Sequence, residues 1–149
     1  MKPVTVSVTV AKPREQVFEF LDLLANHERF MDHMFVDWSF SGPARGVGAK
    51  ARARVSAPGS REMAEFEVVE AEAPERYVEE GVSAHGKRRT RGSYRLEPAP
   101  GGGTEVSFEL DWLQVPRSER LLPSPLARGF MRRANGKGMR RLAKLLEQG

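Results

Sequence analysis

Few residues in this sequence have side chains that could do chemistry, and the best placed are Glu79 and Tyr94. The segments YVEEGVSA and KRRTRGSYRLE alternate in polarity, so both predict β-strands whose alternate side chains share one face. Aligning Tyr94 with Phe108 of TEVSFELDW places Tyr77 and Glu79 on the same inner face. A carboxyl group facing an apolar interior has a raised pKa and could act as an acid or a base, and Tyr94 could orient a carbonyl group.

These two residues also have a purely structural interpretation. Glu79 could lie at the frayed rim of its strand, and Tyr94 could be a core residue whose hydroxyl group is satisfied. The sequence favours this interpretation, because it predicts few polar side chains on the inner face. We therefore assign no catalytic residue from the sequence.

The common metal and cofactor sites are missing from the sequence. It has no cysteine, which excludes disulfides and thiolate ligands and fits a reducing cytoplasm. His27 and His33 are six residues apart, which is not a metal-ligand spacing on one helical face, and His85 lies in a turn. No P-loop, G-x-S-x-G or G-x-G-x-x-G motif occurs. We expect neither a metal nor a cofactor.

Length and composition predict one globular domain over residues 1–149, with 40% hydrophobic and 30% charged residues. No apolar run approaches the roughly 18 residues of a membrane span. The first ten residues, MKPVTVSVTV, alternate apolar and polar side chains, unlike the continuous apolar stretch of a signal peptide. We therefore expect a cytoplasmic protein. Arginine outnumbers lysine 18 to six, which is compatible with a bacterial, GC-rich genome.

The net charge of +4 is unevenly distributed. Residues 1–112 carry 15 Lys/Arg and 18 Asp/Glu, and residues 113–149 carry nine and two, so the two parts have charges of −3 and +7. The basic character is thus a property of the C-terminal segment. No DNA partner is expected from the overall charge.

The charges on the strands predict the strand register. With one turn at His85-Gly86 and another near residue 58, three pairs of opposite charge face each other on neighbouring strands. The pairs are Glu80 with Arg91, Arg52 with Glu65, and Lys50 with Glu67. This pattern favours KRRTR as the solvated outer face of a sheet, with a phosphate site as the alternative.

The remaining elements follow from periodicity. VTVSVTV predicts a first strand, and apolar spacing after Pro13 at a first helical position predicts a helix. A second short helix or turn follows over residues 26–34, and then six short strands form a meander. The last helix is predicted from about Ser124 to Leu146, with an apolar stripe. The stripe residues are Leu126, Phe130, Met131, Ala134, Gly138, Leu142 and Leu145.

Three residues of this last helix are unusual in a helix interior, namely Asn135, Gly136 and Gly138. A glycine there costs about 0.8–1.0 kcal/mol relative to alanine. Gly138 is expected to allow close packing or to line a cavity. Gly136 and Asn135 are expected to face solvent.

Three longer segments carry a resemblance to known proteins: VTVSVTVAKPREQVFEFLDLLANHERF, FSGPARGVGAKARARV and GSYRLEPAPGGGTEVSFELDW. They resemble the START-like (SRPBCC) superfamily, and most closely its polyketide cyclase/dehydrase and lipid-transport branch. The resemblance implies an α+β helix-grip fold. In it, a curved antiparallel sheet of about seven strands, with two short helices after strand 1, wraps around a long C-terminal helix. It also implies a cavity for an apolar ligand between sheet and helix.

Three functions remain open. The first is binding of a small apolar or polycyclic ligand, lipid or polyketide-like, and the second is a cyclase/dehydrase-type enzyme. The third is docking of the basic helix on RNA, a ribosome or an anionic membrane, although its basic face lacks aromatic residues for base stacking. The expected ligand-binding residues are Trp38, Phe66, Glu79, Tyr94, Phe108, Trp112, Phe130, Met131 and Gly138.

Overall fold

The computed structural model of the chain describes residues 1–121 and 124–149. Seven strands pair as one antiparallel sheet: β1 (Val4–Val10), β2 (Phe35–Ser41), β3 (Lys50–Val55), β4 (Met63–Glu72), β5 (Arg76–Ser83), β6 (Arg88–Pro98) and β7 (Thr104–Gln114). Their spatial order is β1-β7-β6-β5-β4-β3-β2. Strands β2 to β7 therefore form the predicted meander, and β1 closes it by pairing with β7.

In the part of the chain that the structure describes, three α-helices complete the fold: α1 (Arg14–Asp22), α2 (His27–Met31) and α3 (Ser124–Gln148). Short 3₁₀ turns span Leu24–Asn26, Pro100–Gly102 and Arg117–Leu121. The α+β helix-grip prediction is confirmed, with its seven strands and its long last helix. Pro13 is the residue before α1 and not its first helical residue, and its carbonyl accepts hydrogen bonds from the amides of Gln16 and Val17.

The predicted strand register is confirmed by the cross-strand partners. Lys50 lies opposite Glu67, Arg52 opposite Glu65 and Glu80 opposite Arg91. The charged atoms of these pairs are 3.5, 3.9 and 3.2 Å apart respectively. All six side chains are exposed by more than a third, so each pair contributes at most about 1 kcal/mol.

Arg88 forms a less exposed ion-pair network at the start of β6. Its guanidinium contacts the carboxylates of Glu62, which precedes β4, and Glu119, in the 3₁₀ turn before α3. The side chains are 22%, 33% and 28% exposed, respectively. The network ties the segment that leads into α3 to the sheet.

The inner face of β7 is as predicted. Phe108 and Leu110 are buried, Glu109 is exposed, and Trp112 is half-buried at the end of the strand. Alternation with a period of two thus identifies which side of this strand meets the core.

Helix α3 lies mainly along β1 and α2, and only its second half is buried. Leu126 and Phe130 are 73% and 65% exposed, so their predicted place on the buried stripe is wrong. Residues four apart advance about 40° around an α-helix at each step. Four such steps separate Leu126 from Leu142 by about 160° around the helix axis, so Leu126 faces away from the core when Leu142 faces toward it.

Side-chain contacts fasten the end of α2 to α3. The imidazole of His33 donates a hydrogen bond from Nε2 to the carbonyl of Ala134 (2.9 Å), and Arg141 donates to its Nδ1 (3.1 Å). Arg141 also forms an ion pair with Asp32, and this hydrogen-bonded contact lowers the pKa of that carboxyl group. Among the described residues, no helix is long and apolar enough to cross a membrane.

Candidate functional site

Glu79 lies in the interior of the fold, on the concave side of β5. Its side chain is 14% exposed, and its Oε2 atom lies 3.8 Å from Nδ1 of His27. Burial raises the pKa of Glu79 from 4.5 to about 7, because the apolar surroundings disfavour the charged form. The carboxyl group therefore exists in both protonation states near neutral pH.

His27, the first residue of α2, is the partner that faces this carboxyl group. It is 2% exposed, and its Nε2 atom lies 2.8 Å from the carbonyl oxygen of Leu21. A carbonyl can only accept, so Nε2 carries the proton and Nδ1 presents a lone pair toward Glu79. Burial lowers the pKa of His27 to about 4, so the ring is neutral at pH 7.

Both side chains are therefore largely uncharged between about pH 4 and pH 7, and together they offer a hydrogen-bond donor and an acceptor. A protonated Glu79 can donate a hydrogen bond, an ionised one can accept it, and Nδ1 of His27 can accept in either case. Such a pair could bind a polar group of a ligand or move a proton to or from it.

Aromatic rings surround the imidazole. The centroid of the His27 ring lies 5.1 Å from Phe30, 5.6 Å from Tyr77 and 5.8 Å from Tyr94. Burial raises the pKa of both tyrosines, so both are neutral. Within the described residues, the buried hydroxyl of Tyr77 has no hydrogen-bond partner.

A cavity of about 20 Å³ adjoins the pair, which is close to the space that one water molecule needs. It lies between the helical segment 24–31 and strands β2 to β5. Its walls are mostly apolar, with His27 and Glu79 as the titratable groups. The lining residues are Leu24, His27, Met31, Phe35, Trp38, Ala51, Phe66 and Glu79.

A second, larger concavity of about 170 Å³ opens beside this cavity. It lies between residues 23–25 and the β2–β3 hairpin, and Leu24 and the neighbouring β2 residues Trp38 and Phe40 connect the two spaces. An apolar cavity of similar size can hold a benzene ring. Leu24 lines both spaces, so the two are adjacent.

The wall between them is built on an edge strand. The indole of Trp38 stacks between Phe40 and Phe66, with ring centroids 5.9 and 6.2 Å away, and its Nε1 donates to the carbonyl of Phe35. Strand β2 pairs with β3 alone, and its register shifts at a bulge that includes Asp37, with a φ of 55°. Few backbone bonds therefore restrain this wall.

Seven of the nine predicted ligand-binding residues lie on the cavity, behind it or against the core, whereas Phe130 is exposed and Gly138 packs against α2. Trp38, Phe66 and Glu79 line the cavity. Tyr94 and Phe108 are buried one layer behind it, with ring centroids 4.7 Å apart. Trp112 and Met131 are half-buried against the core and lie outside the lining.

Gly138 does not touch the cavity, and it explains where the cavity lies. A Cβ atom at this position would come within 2.7 Å of Sδ of Met31 and 3.4 Å of the carbonyl oxygen of Phe30. The glycine thus lets α2 press directly against α3. The cavity is lined by the helical segment 24–31 and by strands of the sheet, and no residue of α3 lines it.

Asn135 and His27 are buried in places that the sequence patterns do not predict. Asn135 was expected to face solvent but is 3% exposed, and its Nδ2 atom has no hydrogen-bond partner among the described residues. The sequence draws attention to His27 only as a possible metal ligand. Its spacing of three from Leu24 and from Phe30 places it on the buried side of that helical segment, a signal that could have identified it.

Among residues 1–121 and 124–149, no group of three or more His, Cys, Asp or Glu side chains is arranged to hold a metal ion.

The sequence matches the profile of the family described as polyketide cyclase/dehydrase and lipid transport over residues 1–147. The chain belongs to this family. A search of curated proteins finds no significant match.

Solved structures show the same fold as this polyketide cyclase/dehydrase and lipid-transport family member. TTHA0849 from Thermus thermophilus has a TM-score of 0.76 and 17% identity, covering 97% of each chain. The ZhuI aromatase/cyclase from Streptomyces sp. R1128 has a TM-score of 0.74 and 14% identity, covering 99% of this chain and 94% of that one. CV1439 from Chromobacterium violaceum has a TM-score of 0.71 and 18% identity, covering 99% of both.

Proposed function

We propose that this protein binds a small, ring-containing apolar ligand in the cytoplasm, beside the His27–Glu79 pair. The observation that carries the proposal is the placement of this buried donor and acceptor pair on a cavity whose other walls are apolar or aromatic. Ligand sites commonly combine apolar walls with a few fixed polar groups. Membership of a polyketide cyclase/dehydrase and lipid-transport family agrees with such a ligand.

The cavity must expand to admit a ring, because about 20 Å³ holds no more than one water molecule. The adjacent concavity of about 170 Å³ supplies the additional room. Trp38 lines the small cavity and Phe40 lines the concavity, and both belong to an edge strand with a bulge. Rotation of their side chains would join the two spaces. The ligand would then contact Phe66 on the wall and Glu79 at its polar end.

The test uses anilinonaphthalene sulfonate, an amphipathic dye that fluoresces in apolar sites, and matched tryptophan variants. Trp38→Leu removes the wall between the two spaces and should change the affinity for the dye by about tenfold or more. Trp112 lies away from the cavity, so Trp112→Leu should leave the affinity unchanged. Native mass spectrometry of freshly purified protein should detect a co-purifying small molecule. Equal dye affinities in both variants, with no co-purifying molecule, would overturn the proposal.

A second candidate function is proton-transfer catalysis of the cyclase/dehydrase type. The specific observation in its favour is that Glu79, with a pKa of about 7, faces an uncharged imidazole in a water-poor cavity. A general acid or base works best with a pKa near the operating pH. Elimination of a nitrobenzisoxazole reports such a base directly. Turnover that Glu79→Gln abolishes supports catalysis, and turnover equal in both proteins would exclude Glu79 as the base.

A further inference from the structure

The outward face of α3 carries a combination of residues that the cavity does not use. Leu126 and Phe130, four residues apart, are 73% and 65% exposed. The buried residues of the same helix, such as Asn135, Leu142 and Leu146, lie on the opposite side. Two large apolar side chains therefore point into solvent from a helix whose own core contacts are made elsewhere.

Basic residues share this outward face. At about 100° per residue, Arg133, Lys137 and Lys144 project in nearly the same direction as Leu126 and Phe130. All three are exposed, and none forms an ion pair within the described residues. The chain from residue 113 onward carries a net charge of +7.

The orientation of this half of α3 is fixed by an inward contact. Arg128 donates hydrogen bonds from its guanidinium to the carbonyl oxygens of Lys2 and Pro3, at 3.1 and 3.0 Å. Because Arg128 points toward the N-terminus of β1, the helix cannot rotate Phe130 inward without breaking both bonds. The exposed position of Phe130 is thus part of the folded arrangement.

We propose that this face of α3 docks on an anionic lipid surface, independently of any ligand in the cavity. Leu126 and Phe130 enter the headgroup region, and Arg133, Lys137 and Lys144 contact lipid phosphates. An interfacial helix gains affinity from buried apolar side chains and from attraction of Lys and Arg to anionic lipids. Both contributions are present on one face here.

The charge on this face argues against other occupants. A second copy of the chain, related by a two-fold axis, would bring Arg133 and Lys137 against the same cations. A nucleic acid would contact the cations, but Phe130 is the single aromatic residue of α3 that could stack on a base. Anionic lipid satisfies the cations and the apolar side chains together.

The test is co-sedimentation with vesicles of phosphatidylcholine, with and without phosphatidylserine, at physiological ionic strength. Wild-type protein should sediment with the phosphatidylserine vesicles only. Leu126→Ser with Phe130→Ser, and separately Arg133→Glu with Lys137→Glu, should each lower partitioning by about tenfold or more. All four positions are exposed, so thermal melts should confirm that the variants fold.

Matched controls remove equivalent side chains elsewhere. Val47→Ser deletes an apolar residue that is 61% exposed, and Arg89→Glu reverses an exposed charge on β6. Both should sediment like the wild type. The proposal is overturned if wild-type protein stays in the supernatant, if it binds neutral vesicles equally well, or if only the charge variants lose binding. Concentration-dependent dimerisation abolished by the Leu126/Phe130 variant, without vesicle binding, would assign the face to a second copy instead.

Discussion

Nδ1 of His27 and Oε2 of Glu79 lie 3.8 Å apart, with opposite effects of burial on their pKa values. The imidazole is held neutral down to about pH 4, and the carboxyl group retains its proton up to about pH 7. Between about pH 4 and pH 7, the two buried titratable groups are therefore largely uncharged. This relationship governs both the proposed ligand contact and the pH dependence of stability.

Glu79→Gln should remove a pH-dependent loss of stability. The folded-state pKa of Glu79 is raised from 4.5 to about 7, so the unfolded chain loses this proton first as the pH rises. The wild type is therefore destabilised progressively between pH 4.5 and 7, by about 3 kcal/mol at most. Urea titrations should show the stability of the variant, relative to wild type, rising across this window. A constant difference would show that Glu79 titrates normally.

The stability of His27→Gln, relative to wild type, should change with pH in the opposite direction. The folded-state pKa of His27 is lowered from 6.5 to about 4, so acidification favours the unfolded chain, which binds the proton first. The wild type loses stability as the pH falls from 6.5 to 4, and a variant without the imidazole lacks this loss. Its stability relative to wild type should therefore increase on acidification. The same slope in both variants would contradict the assignment of the two pKa values.

Phe130→Ala should change the free energy of unfolding by less than about 0.5 kcal/mol, because the ring is solvent-exposed. Leu142→Ala on the same helix should cost about 2–5 kcal/mol, because that side chain is completely buried. Chemical denaturation of both variants measures the contrast. A large loss in the Phe130 variant would mean that α3 is rotated relative to this structure.

Gly138→Leu should destabilise the protein by about 1–3 kcal/mol or more, since the new side chain meets Met31 and the backbone of Phe30. Gly136→Ala is the control. Its Cβ would approach only the end of the flexible Arg140 side chain, at 3.3 Å, so better helix propensity should stabilise it modestly. Thermal melts compare the two. A stabilised Gly138 variant would rule out close packing of α2 on α3.

Arg88→Ala should lower the free energy of unfolding by about 1–3 kcal/mol, because Glu62 and Glu119 would lose a shared, partly buried cation. Arg91→Ala removes an exposed pair with Glu80 and should cost less than about 1 kcal/mol. Hydrogen exchange of residues 117–121 provides a local readout, since Arg88 holds that turn to the sheet. Unchanged exchange there would show that the turn is held by other contacts.

The sheet could be predicted from the sequence because its signals are local. Turns at two places and alternation with a period of two determine which residues face each other, and Glu80 and Arg91 meet as predicted. The placement of α3 is less local. A row of residues four apart looks like one stripe, but it winds around the helix, so Leu126 and Leu142 end on opposite sides.

The site was only partly predictable for a related reason. Alternation placed Glu79 on the inner face, but the position of the cavity depends on how closely α2 approaches α3. That distance is determined by the absence of a side chain at Gly138 and by the volume of Met31, which meet only in the folded chain. His27 becomes the partner of Glu79 through the same approach.

The pairing of β1 with β7 has a consequence for how the chain is made. Val4 has its sheet partner at Leu110, and α3, which packs on β1, ends at Gln148. During synthesis, the first strand emerges long before either partner exists, while the β2–β7 meander can form hairpins as it appears. Closing so long a loop is entropically costly and slows folding. The N-terminal strand must therefore wait, unpaired, until the ribosome has made β7.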